Sequence, residues 1–271
     1  MDESKKVMRT AVIILFVLIV AVAAYYFFFS GRPSVQGPTE PPLATKKPPG
    51  EEIGGKEAMD AESLAVELDK SDDPVRSLAA ELSSNPTLGQ WLKTKDLIRK
   101  FVAGVDNVAN GQSPRPQWDF FTPRGEFMTS PKDGQILLDP AGFDRYNIVA
   151  DVFDSVSTQG CARLYQSLRP LLQKAYRDLG YPKEDFHQTL YRAIVEILRT
   201  PVVDAPIILE KKVTTYVMAD ARLEDLSAAQ KHLLRMGPEN VQLIQAKLRE
   251  IALALGFTED QLPKQRIYVP R

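Results

Sequence analysis

Residues 11–29 contain only Ala, Val, Ile, Leu, Phe and Tyr, nineteen positions without a charge, a glycine or a proline. Spanning a bilayer core of about 30 Å takes roughly 20 apolar residues at about 1.5 Å rise each, so this run is long enough to cross as one helix. It is apolar on every face, which excludes the one-sided helix of a globular surface. Lys5, Lys6 and Arg9 lie in the short stretch 1–10 before it, while only Arg32 follows closely. The positive-inside rule then puts the N-terminus in the cytoplasm and everything downstream on the far side. Tyr25 and Tyr26 suit the interface at that far end. The competing reading is a cleaved signal peptide. Against it, the run exceeds an h-region of about 7–15 residues, and Phe28 and Ser30 make a poor small-x-small cleavage site. No G-x-x-x-G lies in the run, so it offers no case for close helix pairing.

Composition changes abruptly over residues 30–57. Pro33, Pro38, Pro41, Pro42, Pro48 and Pro49 alternate with Gly31, Gly37, Gly50, Gly54 and Gly55, and large apolar side chains nearly vanish. Such a segment cannot bury enough surface to offset its ordering entropy, so the expectation is a disordered, partly extended spacer. A proline-rich ligand is the sharper alternative, but no P-x-x-P with a basic anchor stands out.

The remaining chain divides into an expected folded domain, 58–257, and a polar tail, 258–271. Beyond position 57 there are 27 basic and 29 acidic residues. A nucleic-acid binder is ordinarily basic, so this balance argues against such a partner. Cys161 is the one cysteine, which rules out an internal disulfide and a cysteine-based zinc site. It sits among helix-forming residues and reads as a small buried apolar group.

Helix signals dominate this part. Asp73-Pro74 reads as a cap and first-turn proline, Asn85-Pro86 as a second start, and Thr94 as the cap of a stronger helix carrying Ile98, Phe101, Val102 and Val105. Trp118, Phe120 and Phe121 fall in a proline-rich loop and are expected to pack into their own domain rather than form a recognition surface. Residues 125–128 and 134–138 look like the two strands of a hairpin. Asp139-Pro140 opens another helix through Tyr146 and Val149, and a further one begins near Ser157, with Pro170 inside it as an expected kink or break. A helix over 186–198 follows, then a strand-like stretch, 207–218. Ser227 and Gln230 form a capping box, Gly237 ends that helix, and Pro238 starts the last one, with Val241, Ile244, Leu248, Ile251 and Leu255 on one face. The fold class is therefore mainly α, with a small β-hairpin or strand element.

No motif for phosphate, dinucleotide or nucleophile-elbow chemistry occurs: G-x-x-x-x-G-K-[ST], G-x-G-x-x-G and G-x-S-x-G are all missing. His187 and His232 are the only histidines, and neither has a ligand-type residue at i+3 or i+4. The helix, Gly-Pro turn, helix around Gly237 invites comparison with a helix-hairpin-helix, where backbone N–H groups hold a DNA phosphate. Lys231, Arg235, Lys247 and Arg249 would supply charge, but Pro238 has no N–H and Glu239 would repel an anion. A tight interhelical corner explains the same residues without a ligand.

Leu168-Arg169-Pro170-Leu171-Leu172-Gln173 with Ala175-Tyr176, then Leu179-Gly180-Tyr181, and above all Leu233-Leu234-Arg235-Met236-Gly237-Pro238-Glu239-Asn240 resemble a bacterial domain-of-unknown-function family, number 3014. The likeness covers about 72–255. The resemblance also implies the layout: basic N-terminus, single span, proline-rich tether, helical domain. That family carries no established activity, so Arg169, Pro170, Tyr176, Arg235, Met236, Gly237, Pro238, Glu239 and Asn240 transfer as a structural signature only. The combined expectation is a bacterial inner-membrane protein anchored in the bilayer through 11–29, with its domain in the periplasm. That domain is read as a non-catalytic binding or scaffolding module for an envelope protein partner, without cofactor or metal. An envelope enzyme on cell-wall or small polar substrates is the alternative, and phosphate or nucleic-acid binding at Gly237 a weaker one.

Overall fold

Three polar residues at the heads of apolar stretches set three of the helices. Asn85 accepts the N–H of Thr87, Asp185 that of His187, and Ser227 that of Gln230, each satisfying a donor that a helix start leaves free. Ser227 and Gln230 do so reciprocally, as the capping box requires. The computed structural model describes residues 64–118 and 125–270, all within one unit, Lys56–Arg271. The expected span 11–29 and spacer 30–57 lie outside the described residues, as do Phe120 and Phe121. Among the described residues no helix is long and apolar enough to cross a membrane.

The domain is mainly helical, with nine α-helices among the described residues: α1 (Asp72–Ala80), α2 (Pro86–Trp91), α3 (Leu97–Ala109), α4 (Asn147–Ser155), α5 (Thr158–Asp178), α6 (Phe186–Leu198), α7 (Ala221–Glu224), α8 (Ala228–Leu234) and α9 (Pro238–Ala254). Four short strands, β1 (Thr129–Lys132), β2 (Gln135–Leu138), β3 (Ile208–Lys211) and β4 (Tyr216–Met218), form one antiparallel sheet in that order. Residues 207–218, expected as one strand, are thus two. The first hairpin is also displaced from 125–128 and 134–138. Asp133 and Gly134 both take positive φ (51° and 76°), which makes a two-residue turn and pairs Lys132 with Gln135. An Asp-Gly pair suits that backbone, because its twist matches the twist of the strands it joins.

Helix ends differ from the sequence reading where the partner comes from afar. Thr94 does not cap α3; its hydroxyl accepts from Lys100 Nζ at 2.6 Å. The cap is the carboxylate of Asp72 on α1, whose two oxygens accept the N–H groups of Asp96 (2.8 Å) and Leu97 (2.9 Å). The far end of α6 is closed in the same way. Gln245 Nε2 donates to the carbonyls of Ile197 (3.0 Å) and Thr200 (2.9 Å), and Gln230 Nε2 to that of Glu196 (3.2 Å). These glutamines are buried because they satisfy carbonyls that would otherwise be stranded. Asp139 caps only a short 3-10 turn, Pro140–Gly142, and α4 begins later at Asn147. Pro170 neither ends nor splits α5, which runs unbroken through it. The proline is exposed, so its missing N–H strands no buried acceptor.

The main core lies where α3 packs on α6 and α5, closed by α9. Val102, Val105, Leu172, Tyr176, Phe186 and Ile194 fill it. A second cluster joins the sheet to α7 and α8 through Leu138, Leu209, Met218, Leu223 and Leu234. The C-terminal segment belongs to the same packing. Leu262 is buried, and Val202 exchanges main-chain bonds with it, donating to Arg266 O (2.8 Å) and accepting from Tyr268 N (2.9 Å). Tyr268 and Arg222 both bond the Asp220 carboxylate, which holds that carboxyl far below its ordinary range.

Candidate functional site

The helices do not close completely. Between the main core, the sheet and the C-terminal helices lies a cavity of about 850 Å³, within the roughly 300–1,000 Å³ usual for small-molecule pockets. Apolar side chains supply most of its wall: Phe101, Val105 and Val108 from α3, Val149 and Phe153 from α4, Leu190, Ala193, Ile194 and Ile197 from α6, Leu233 from α8, Ile244 and Leu248 from α9. The 3.6-residue period explains this, since each helix turns the rest of the stripe that builds the core towards the gap. Trp118 also lines it. Its indole lies over Gly104, where any β-carbon would fall within 2.5 Å of the ring, and its Nε1 donates to Lys100 O at 3.1 Å. This member of the aromatic loop packs on its own domain.

The charged part of the wall has one sign. Arg115, Arg145, Lys211, Lys212 and Arg235 line the cavity with His232, and no Asp or Glu is among its described lining residues. Lys212 pairs with Glu210 at 2.8 Å, whereas Arg115, Arg145 and Arg235 have no carboxylate within 4 Å among the described residues. Arg145 is fixed from behind. Its Nη1 donates to the carbonyls of Glu126 (2.7 Å) and Gly125 (3.3 Å), its Nη2 to Tyr146 Oη (3.2 Å), and its guanidinium lies over the Tyr146 ring. Its Nε is buried without a hydrogen-bond partner. His232 Nδ1 lies 2.9 Å from Ser113 Oγ. Burial, then the nearby charges of Arg235 and Arg115, lower its pKa below the ordinary histidine value, so the ring is neutral at neutral pH.

The signature residues fall into separate places. Arg169 and Pro170 are exposed on α5, with Arg169 3.9 Å from Asp185. Tyr176 is fully buried; its hydroxyl accepts from Thr189 (2.9 Å) and donates towards Glu184 (3.3 Å), while its ring stacks on Tyr181. Arg235 and Met236 line the cavity and Glu239 is exposed. Gly237 is buried with φ +89° beneath the Phe143 ring, and Pro238 starts α9. Asn240 is buried as a clamp, donating to Met236 O (2.8 Å) and Asn147 Oδ1 (3.0 Å). The Gly237 corner is therefore packed against the protein. Of the four cations near it, Lys231, Lys247 and Arg249 are paired with Glu224, Glu250 and Glu259. Only Arg235 is left, and it faces the cavity.

His187 lies outside the cavity, stacked on Phe257 with its Nδ1 3.0 Å from Tyr165 Oη. Burial lowers its pKa and raises that of Tyr165 to about 12. Cys161 is half-buried and burial pushes its thiol up, away from the reactive thiolate. No group of three or more His, Cys, Asp or Glu arranged to hold a metal occurs among the described residues. Arg115 and Arg145 were not marked by any sequence signal, because their place on one cavity wall depends on a loop and a turn distant in sequence.

A family model described as a protein of unknown function (DUF3014) matches residues 97–252. Neither the curated proteins nor the solved structures provide a match.

Proposed function

The chain belongs to that family of proteins of unknown function, and we propose that it is a non-catalytic binding module of the bacterial envelope. In this reading residues 11–29 anchor it in the inner membrane, 30–57 act as a spacer, and the helical domain stands in the periplasm. The uninterrupted apolar run and the charge asymmetry around it support the anchor. The observation that carries the binding role is the cavity, whose wall is mostly apolar with a few convergent polar groups.

Two experiments test the reading. Full-length protein purified from membranes is extracted with organic solvent and the released small molecules are weighed by mass spectrometry. A stoichiometric molecule retained by the wild type and lost in Ala193→Phe, which fills the cavity, is the expected result. Equal amounts from both, or none from either, would refute the binding role. Reporter fusions after Leu255 test the topology, and activity of a cytoplasmic reporter alone would overturn the periplasmic placement.

A further inference from the structure

Three guanidinium groups open on the cavity without a carboxylate partner among the described residues, in a domain that carries slightly more acidic than basic residues. Some arginines elsewhere in the described domain do pair, as Arg76 with Asp73, Arg99 with Asp69, Arg222 with Asp220 and Arg249 with Glu259. Arg145 is held by two carbonyls and a tyrosine, neutral groups that orient a guanidinium without discharging it. Arg145 and Arg235 are half-buried and Arg115 is exposed, so all three are open to an anion that would accept charge-assisted hydrogen bonds from them. Much of the remaining wall is hydrocarbon, including Val105, Leu190, Ile194 and Ile244.

We propose that the cavity binds a single-chain anionic amphiphile, with a carboxylate or phosphate head against Arg115, Arg145 and Arg235 and an aliphatic chain along α3, α6 and α9. This rests on the reading of the cavity as a binding site. Charge complementarity selects the head, because a neutral or cationic head would leave the guanidinium groups uncompensated. The apolar wall selects the chain, since the free energy of transfer grows with the hydrocarbon area removed from water. His232, neutral between Arg115 and Arg235, gains a proton more readily once an anion sits beside it.

The test uses the full chain carrying Trp91→Phe, reconstituted in phosphatidylcholine vesicles, so that Trp118 on the cavity wall is its one indole. Decanoate, decyl phosphate, decanol, decyltrimethylammonium and inorganic phosphate are titrated separately against Trp118 fluorescence. Decanoate or decyl phosphate is expected to saturate the signal at a concentration about 10-fold or more below decanol, and comparing the two anions identifies the head. The double variant Arg115→Gln, Arg235→Gln, whose guanidinium groups make no hydrogen bond among the described residues, is expected to erase that preference while decanol binding persists. Equal binding of decanol and the anions leaves a cavity that binds but overturns the anionic head. Saturation by inorganic phosphate at the same concentration as decyl phosphate overturns the aliphatic part. A Trp118 signal that follows protein density without added amphiphile places a second copy in the cavity and overturns the proposal. Silence with all five probes overturns the binding role itself.

Discussion

Replacing Gly237 by alanine isolates one methyl group whose cost can be worked out in two parts. The residue has φ +89° and ψ 159°, a region that is essentially restricted to glycine. Holding a side chain there costs about 1–3 kcal/mol. The new β-carbon would also sit 2.6 Å from Cγ and Cδ2 of Phe143 and 2.9 Å from its Cβ. Relief requires the ring to leave its place against the sheet cluster, and overpacking of this kind costs about 1–3 kcal/mol. The sum, about 2–6 kcal/mol, is a large share of a typical domain stability of about 5–15 kcal/mol. Urea unfolding of the full chain in a mild detergent, followed by far-UV circular dichroism, measures it. Repeating the substitution in a Phe143→Ala background removes the ring but leaves the dihedral strain and the 2.9 Å approach of the two β-carbons, so the cost there should fall yet stay at about 1–3 kcal/mol or slightly above. A loss below about 0.5 kcal/mol in the wild-type background would refute the positive φ, and equal losses in both backgrounds would refute the ring contact.

Acidification should destabilise the domain before its carboxylates titrate. His187 and His232 both have folded pKa values below the unfolded value of about 6.5. Their contribution is whole above that value and is lost as pH falls through the lowered folded values. The melting temperature should therefore drop between pH 7.5 and 5, less so in the double variant His187→Phe, His232→Phe; a flat profile would count against burial of both rings. Asp72→Ala removes the acceptor for two N–H groups at the start of α3 and should cost about 1 kcal/mol by the same unfolding measurement. No change would mean another group caps that helix. Asn240→Ala strands the carbonyl of Met236 and removes a donor from the exposed Asn147 side chain, with an expected loss of about 1–3 kcal/mol. A neutral result would show that water replaces the amide.

Features that depend on neighbours in sequence were legible. The start of α6 at Phe186, the capping box at Ser227 and the Gly237-Pro238 corner are written in two to four adjacent residues, and the structure reproduces them. The start of α3 was not, because Thr94 offers a plausible local cap while the acting one, Asp72, is 24 residues upstream of Asp96. The division of 207–218 was missed because β-branched residues on both sides of Lys212 give one continuous propensity, with no Gly or Pro to mark the turn. The cavity was the least legible. The stripe that faces a neighbouring helix and the stripe that faces an empty space have the same apolar composition. Arg235 stood out only as part of a recognisable string, and nothing local distinguishes Arg115 or Arg145 from solvated surface arginines.

The Asp72 cap also bears on how the protein can be divided. Cutting the chain to 97–252 would remove that carboxylate from the head of α3, take Phe257 off His187, and strip Val202 of both its main-chain partners. The stretch that defines kinship is thus narrower than the stretch that can stand alone. A soluble piece for crystallisation or calorimetry has to begin before Asp72 and continue past Tyr268, or it will report on a frayed remnant.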